Sequence, residues 1–224
     1  MKTINSQNNF IYLFFSLITL LFSAAVVADF KGTVSEDIFS IITITMLYIN
    51  LKSLKPYVTW RRTAYALILF FISITLLGKF FNSSYHIYIL LSILLIFFIY
   101  FFSIATKQVL FVGDIDTNKI VGSLTLYILL GLIWAVIYLL IIAFDTNSFT
   151  GISIGEWQES FSRVAYYSFV TLTTLGYGDI LPNNHIAEFF VYMESIIGVF
   201  YMAIIVSSLI SLRLSAIQEN KKGH

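Results

Sequence analysis

Long runs of apolar residues, separated by short polar stretches, make up most of the chain. A helix needs about 20 mostly apolar residues to cross a hydrocarbon core about 30 Å thick. The pattern therefore predicts six membrane-spanning helices, at residues 10–28, 38–54, 64–81, 85–106, 120–144 and 186–212.

A shorter apolar and aromatic stretch, at residues 157–172, lies between the last two predicted spans. A helix of about 15 residues is only roughly 22 Å long, which is too short to cross the membrane. A re-entrant helix followed by non-helical backbone is tolerated at membrane depth only where protein buries it or where it lines a watery cavity. We therefore expect 157–172 to be a re-entrant helix.

Composition agrees with a chain that lies mostly within a membrane. Hydrophobic residues make up 58% of the chain and charged residues 11%, whereas a soluble domain has roughly half and a quarter. We expect an all-α integral membrane protein. The net charge of +1 argues against a nucleic-acid partner, and a chain without cysteine has no disulfide framework, thiolate metal site or thiol nucleophile.

Lysine and arginine placement predicts the orientation of the helices, because positive residues are retained on the cytoplasmic side. With both termini in the cytoplasm, all but three of the 13 Lys and Arg residues fall inside; the three outside are Lys31, Lys79 and Arg163. We therefore expect a multi-pass protein of the plasma membrane with both termini cytoplasmic.

The first predicted span also has features of a secretory signal. Lys2 precedes the apolar run, and small residues at 26–28 before Asp29 form a candidate cleavage site. The apolar run from Phe10 to Ala28 is longer than the roughly 7 to 15 residues of a usual signal core, which favours a retained helix. Cleavage of residues 1–28 is the alternative.

The segment Thr171–Asp179 reads TLTTLGYGD, and its core at 174–178 is a close variant of the TVGYG loop that lines potassium-selective pores. In such a loop, carbonyl oxygens replace the hydration shell of the ion. An extended strand points successive carbonyls to opposite sides, so a pore lined by all of them needs alternating backbone handedness. Positive φ is inexpensive only at glycine, and Gly176 and Gly178 stand at alternating positions.

We expect the filter to comprise Thr174, Leu175, Gly176, Tyr177 and Gly178, with K+ bound at the first four. Thr174, Leu175 and Tyr177 are expected to keep negative φ, with the Thr174 hydroxyl at the inner end and the other two side chains turned outward into packing. One strand forms only one wall of a pore. Because the chain has a single such loop, a closed ring requires four copies, and we expect a homotetramer.

Four neighbouring residues are candidates to support this loop. Tyr166 and Tyr167 lie one helical turn or more before it and are placed to brace Tyr177, while Thr171 and Asp179 flank it. We expect these side chains to fix the position of the loop backbone.

Residues 120–212 resemble the pore module of tetrameric potassium channels. The runs IVGSLTLYILLGLIWAVIYLL at 120–140 and YYSFVTLTTLGYGDILP at 166–182 are similar to bacterial six-helix ion-channel proteins that lack a cytosolic ligand-binding domain. The corresponding parts are an outer helix at 120–144, a pore helix at 157–172, a filter at 174–178 and an inner helix at 186–212.

This resemblance implies a function and a cellular location. It implies a non-enzymatic homotetramer in the bacterial inner membrane that conducts K+ passively, with membrane lipids as partners and no cofactor besides the permeant ion. It also implies a gating hinge in the inner helix at Gly198, twenty positions beyond Gly178.

Two positions depart from the pattern of the family. Leu175 stands where valine is commonest, and Val170 stands where some bacterial channels have a glutamate paired with the aspartate after the filter. Asp179 therefore has no obvious carboxyl partner, and Tyr166 is the expected hydrogen-bond donor to it.

The resemblance divides the chain into a four-helix membrane domain at 1–112 and a pore domain at 113–224. Voltage-sensing helices need charges that move through the field, and residues 85–106 contain no Arg or Lys. We therefore predict no strong voltage gating. The sequence does not distinguish lipid, small-molecule or mechanical stimuli.

The inner helix carries the one carboxylate that lies well inside a predicted span, Glu194, four residues before Gly198. An intramembrane acid is a functional candidate, and regulation by pH is one possibility. A structural role, in which Glu194 holds the inner helix to Tyr167 or Thr171, is favoured. On the same helix, counting from Gly198 predicts four residues that line the cavity below the filter: Val199, Met202, Val206 and Ile210.

Two other motifs and three other functions fit the sequence less well. The sequence G-x-S-x-G at 151–155 lacks the surrounding sheet pattern of a hydrolase, and D-x-D-x-N at 114–118 lacks the glycine and glutamate of a calcium loop. A less selective cation channel is disfavoured by Tyr177, and a transporter by the absence of repeated halves. A non-conducting scaffold has no need for two alternating glycines.

Overall fold

The computed structural model describes residues 9–30, 32–54, 58–80, 85–111, 117–152, 157–207 and 210. Within these residues the fold is almost entirely helical. Its helices are α1 (Asn9–Asp29), α2 (Thr33–Leu54), α3 (Val58–Phe80), α4 (Tyr85–Phe111), α5 (Thr117–Phe144), α6 (Trp157–Leu172) and α7 (His185–Phe200), with a π-helical segment at Tyr201–Val206.

Six helical segments in the described part of the chain are long and apolar enough to cross a membrane: one in each of α1 to α5, and His185–Ala203, which joins α7 to the start of the π-helical segment. This confirms the predicted helical membrane architecture at the level of helix number and length. The seventh, α6, has 16 residues and occupies the predicted range 157–172.

A two-stranded antiparallel sheet joins the loops on either side of α6. The strand β1 (Phe149–Thr150) pairs with β2 (Leu181–Pro182), which follows the TLGYG loop. The backbone N–H of Asn183 also donates to the carbonyl of Ser148 at 2.8 Å. The segment after α5 therefore holds the backbone that follows the TLGYG loop.

The helix α5 is the most buried of the six long helices and packs against α1, α4 and α6. Gly131 lets α6 approach, because a Cβ at this position would lie 2.7 Å from Cζ of Phe169. At the start of α5, the Asn118 side chain donates to Oδ1 of Asn9 at 2.8 Å and accepts from the backbone N–H of Phe10 at 3.2 Å. The first helix of the chain is thus hydrogen-bonded to the fifth.

The helices α1 and α2 also reach α6 directly. The helix α1 packs along it, and Phe39 of α2 contacts the rings of Trp157 and Phe161 at 5.7 and 5.5 Å between centroids. The boundary between 1–112 and 113–224 stays a prediction, but these two parts pack against each other extensively.

Candidate ion pathway

The chain turns sharply at the C-terminal end of α6 and enters the TLGYG loop. The carbonyl of Val170 accepts from the N–H of Leu175 at 2.9 Å and from that of Gly176 at 3.4 Å, and the N–H of Thr174 donates to the carbonyl of Thr171 at 2.9 Å. Carbonyls in the last turn of a helix have no partner within the helix. The loop backbone uses two of them and is thereby fixed to α6.

The sign of φ alternates through the loop. Gly176 and Gly178 have φ of +58° and +77°, as expected, and Thr174 has φ of +61°. The prediction that Thr174 keeps negative φ is therefore wrong. The left-handed conformation costs an L-residue about 1–2 kcal/mol, and the hydrogen bonds to Thr171 and Val170 hold the turn in which Thr174 lies.

The two large side chains of the loop are exposed within a single chain. Leu175 is 60% exposed and Tyr177 67%, so the expected packing of these side chains is not found inside one copy. Tyr166 stacks parallel to Tyr177 at 6.5 Å between ring centroids, whereas Tyr167 contacts Tyr138 and Phe149 instead. Of the two tyrosines expected to brace Tyr177, Tyr166 stacks on it.

Asp179 lies at the end of the loop between Tyr166 and Arg163. Tyr166 is hydrogen-bonded to the Asp179 carboxylate, as the sequence suggested; desolvation and this carboxylate together raise the pKa of the Tyr166 hydroxyl. Nη2 of Arg163 is 3.7 Å from Oδ2 of Asp179 and donates to the carbonyl of Gly151 at 3.0 Å. Sequence reasoning missed Arg163, although its place one turn before Tyr166 on the same helix pointed to this contact.

Gly151 brings the loop before α6 against Asp179. Its φ is +81°, and a Cβ at this position would clash with the carbonyl oxygen of Asp179. Only glycine both adopts this backbone conformation readily and leaves room for that carbonyl. The interpretation of Gly151 as a loop glycine fits this geometry, and residues 153–155 of the G-x-S-x-G motif lie outside the described residues.

Tyr166→Phe tests the contact with Asp179. The phenylalanine keeps the stacking on Tyr177 and loses the hydroxyl, and because the site is exposed we expect a change in sustained ion flux below about fivefold. Tyr166→Ala removes both contacts and should have the larger effect. The decay of ion flux in vesicles is measured for both variants. Equal decay in Tyr166→Phe and Tyr166→Ala would contradict a contribution of the Tyr166 ring that is separate from that of its hydroxyl.

The helix α7 begins next to the end of α5. Asn184 caps it by accepting from the N–H of Ala187 at 2.8 Å, and its Nδ2 donates to Oδ2 of Asp145, just after α5, at 2.9 Å. A capping side chain satisfies a free N–H in the first turn of a helix. This pair therefore fixes where the inner helix starts.

Gly198 lies on the buried face of α7 against the end of α6. A Cβ at this position would clash with the carbonyl oxygen of Leu172. That carbonyl also accepts from the Tyr127 hydroxyl at 3.2 Å. The structure therefore gives Gly198 a packing role, and the hinge role stays a prediction.

Glu194 lies one turn before Gly198 on the same face and is fully buried. Tyr138 donates to its Oε2, and Oγ of Ser168 lies 2.6 Å from its Oε1. The expected partners were Tyr167 and Thr171; the structure corrects this, because these two side chains are hydrogen-bonded to each other. Glu194 thus connects α7 to α5 and α6, and Ser168 and Tyr138 are residues that sequence reasoning did not identify.

The predicted inner helix changes its hydrogen bonding at Tyr201. The π-helical segment Tyr201–Val206 follows α7 directly, and the Tyr201 hydroxyl donates to the carbonyl of Ser123 in α5 at 2.5 Å. The π-helix has more residues per turn than the α-helix. The counting that placed four lining residues on one face therefore does not hold beyond Tyr201.

The predicted lining residues that the structure describes are exposed. Val199, Met202 and Ile210 each expose about half of their side chain, and the Val206 side chain lies outside the described residues. Glu194, Gly198 and Tyr201 are buried instead. The exposed residues of α7 therefore face away from α5 and α6.

A cavity of about 390 Å³ lies between the loop and α7. Its wall includes Thr174, Gly176 and Tyr177 of the loop, Thr171 of α6, and Ser195 of α7. One side of it is formed by loop backbone and the other by the inner helix, so it adjoins the predicted ion pathway.

The D-x-D-x-N motif, which the sequence disfavours as a calcium loop, is only partly described by the structure. Asp114 and Asp116 lie outside the described residues, while Asn118 bonds to α1. Across the described ranges, no three His, Cys, Asp or Glu side chains are grouped so that they can hold a metal ion.

Comparison with known proteins agrees with the location of this site. No curated protein and no solved structure matches the chain. Residues 126–213 match the family model described as ion channel, and this range holds most of α5, all of α6, the TLGYG loop and α7. In this segment, the chain is similar to ion channels.

Proposed function

We propose that the chain is the subunit of a homotetrameric, potassium-selective channel that conducts K+ passively through a filter made by Thr174–Gly178. The alternating φ at Thr174, Gly176 and Gly178 carries this proposal. Alternation lets successive carbonyls point to the same side of the strand, and carbonyl oxygens replace the hydration shell of K+. The match of residues 126–213 to ion channels supports it at the coarser level.

The position of α6 supports cation binding at the inner end of the loop. The partial negative charge of a helix dipole lies at the C-terminus, and α6 ends at Leu172, two residues before Thr174. Asp179 adds a carboxylate at the other end of the loop. Both charges favour a cation along the path between them.

The exposed face of α7 supports assembly from several copies. Large apolar side chains along this helix are exposed in the single chain, and so are Leu175 and Tyr177. Exposed apolar surface on a membrane helix contacts either lipid or protein, and the exposed side chains of Leu175 and Tyr177 beside α7 favour protein here. Four loops close a ring around one axis, so we assign this face and the two loop side chains to contacts between copies. The exposed large apolar residues of α7 are Ile186, Phe189, Tyr192, Ile196, Ile197, Val199 and Phe200.

The helix α4 supports gating without a strong voltage sensor. From Tyr85 to Thr106 it carries no Arg or Lys, and Lys107 lies near its end. Charge must move through the field to make opening steeply voltage-dependent. We therefore expect open probability to change little with voltage in a planar bilayer.

We place the channel in the bacterial inner membrane with both termini cytoplasmic.

Flux through purified protein in lipid vesicles tests the selectivity. We expect K+ to pass far faster than Na+ and barium to block the K+ flux, because the same carbonyls bind both ions. Empty vesicles are the control. Equal K+ and Na+ flux would refute the selectivity and favour a less selective cation channel, and steep voltage dependence would refute the assignment of α4.

A further inference from the structure

The Glu194 carboxyl group is the point where three helices meet. Its side chain is 0% exposed, and it contacts Tyr138 of α5 and Ser168 of α6. Ser168 lies two residues before Val170, whose carbonyl holds the backbone of the TLGYG loop. Less than one turn of α6 therefore separates the Glu194 contact from the carbonyl that holds the loop.

No positive charge accompanies this carboxyl group. The titratable groups that face it are Tyr127 and Tyr138 from α5 and Tyr167 from α6. The strand β2, which also packs against α7, contributes only Leu181 and Pro182. Among the described residues no Lys, Arg or His pairs with Glu194. An ionised carboxylate without a cation is strongly disfavoured in such a place.

The hydrogen bonds of Ser168 show which form of Glu194 fits. Its Oγ is 2.6 Å from Oε1 of Glu194 and 2.8 Å from the carbonyl of Gly131 in α5. A hydroxyl group has one proton to donate, and a carbonyl oxygen only accepts. When Ser168 donates to Gly131, Oε1 of Glu194 must itself carry a proton and donate to Ser168. If Glu194 is ionised, the single hydroxyl proton of Ser168 can bond either to the carbonyl of Gly131 or to Oε1 of Glu194, and the other contact has no hydrogen bond.

We propose that Glu194 is a neutral carboxylic acid that positions the filter by donating a hydrogen bond to Ser168 while it accepts one from Tyr138. The protonated arrangement satisfies all three contacts at once and joins α7, α6 and α5. Loss of the proton buries a charge and breaks the bond between α6 and α5, which displaces the helix that holds the loop. The effect on flux rests on the proposed function, whereas the protonation of Glu194 does not.

Infrared spectroscopy of the reconstituted protein tests the protonation without any need for conduction. At neutral pH we expect a carbonyl stretching band of a protonated carboxyl group that shifts when glutamate is labelled with ¹³C. The band should disappear in Glu194→Gln and persist in Glu188→Gln, because Glu188 is exposed. If Glu194→Gln does not fold, Ser168→Ala serves instead, since removal of the acceptor must shift the band. A wild-type protein without this band at neutral pH overturns the proposal.

Flux measurements test the positioning role with two matched variants. The side-chain amide that Glu194→Gln introduces can donate to Ser168 and accept from Tyr138, so K+ flux should stay within about twofold of wild type. Glu194→Leu fills a similar volume but leaves the buried Tyr138 hydroxyl without its acceptor and Ser168 with Gly131 alone, so flux should fall by about tenfold or more.

The pH profile separates a proton-dependent role from a purely structural one. Because the neutral form is the active one, wild-type flux should be constant at acidic and neutral pH and fall as the pH rises, while Glu194→Gln should show no such fall. Equal profiles in the two proteins, or a loss in Glu194→Gln as large as that in Glu194→Leu, would overturn the positioning role. A wild-type protein that passes no K+ refutes the proposed function instead, and the infrared result still decides the state of Glu194.

Discussion

Gly176→Ala should abolish K+ flux while the protein still folds. Gly176 has φ of +58°, and no atom lies within 4 Å of the place where a Cβ would stand. Within one chain the substitution therefore causes no clash, and its effect there comes from the backbone, where positive φ costs an L-residue about 1–2 kcal/mol. In a homotetramer each of the four copies bears this free-energy cost. Relaxation of alanine to negative φ turns a carbonyl away from the pathway and removes a ligand for the ion.

Gly32→Ala is the matched control for this variant. Gly32 also has positive φ and an open space at the Cβ position, but it lies between α1 and α2, far along the chain from the loop. Its φ of +148° is one that only glycine adopts readily, so alanine should pay at least as large a conformational cost there and the protein should keep its K+ flux. Vesicle flux for both variants, with circular dichroism to verify helix content, measures the difference. Selective K+ flux through Gly176→Ala would show that the loop backbone is not the pathway.

Gly198→Ala should lower the stability of the protein and its flux together. The added Cβ would clash with the carbonyl oxygen of Leu172, which is backbone and cannot rotate away. Overpacking of this kind typically costs about 1–3 kcal/mol. The helix must then move away from the end of α6, and the loop that starts there loses its support. Thermal unfolding in detergent and vesicle flux report the two effects.

The sign of the stability change separates packing from hinge function. If Gly198 served only as a flexible hinge, alanine would stabilise α7, because glycine inside a helix costs about 0.5–1 kcal/mol relative to alanine. Gly131→Ala is the control, since the group in its way is the Phe169 ring, a side chain that can shift. We expect a smaller loss there. A more stable Gly198→Ala protein would refute the packing role and agree with the hinge.

The helices were predictable from hydropathy, but several of their ends were not. The helix α2 starts at Thr33, five residues before the predicted span, and α4 continues past Lys107 to Phe111. A span predicted from hydropathy ends at the first charged residue, whereas the backbone hydrogen bonds of the helix continue through polar residues at a membrane surface. The helix α6 has apolar residues up to the motif, and there the prediction of 157–172 agrees with the structure.

The contacts that fix the loop required the tertiary structure. The motif identified the two glycines, but positive φ at Thr174 depends on hydrogen bonds to Thr171 and Val170. These bonds cannot be predicted from residue preferences. Similarly, an intramembrane acid signals that Glu194 needs partners, yet only helix packing selects Tyr138 and Ser168. Single-sequence patterns show which groups need a partner and leave the identity of the partner open.

The bond between Asn9 and Asn118 has a consequence for synthesis of the protein. The two residues are 109 positions apart, and translation proceeds at about 5–20 residues per second. Synthesis of α1 therefore precedes synthesis of its partners on α5 and α6 by roughly 5–20 seconds. During that interval its polar side chains Asn9 and Ser16 are without α5, and early contact with α2, where Ser16 meets Asn50, is the first that translation makes possible. Assembly of the ion pathway thus begins at the opposite end of the chain from the filter.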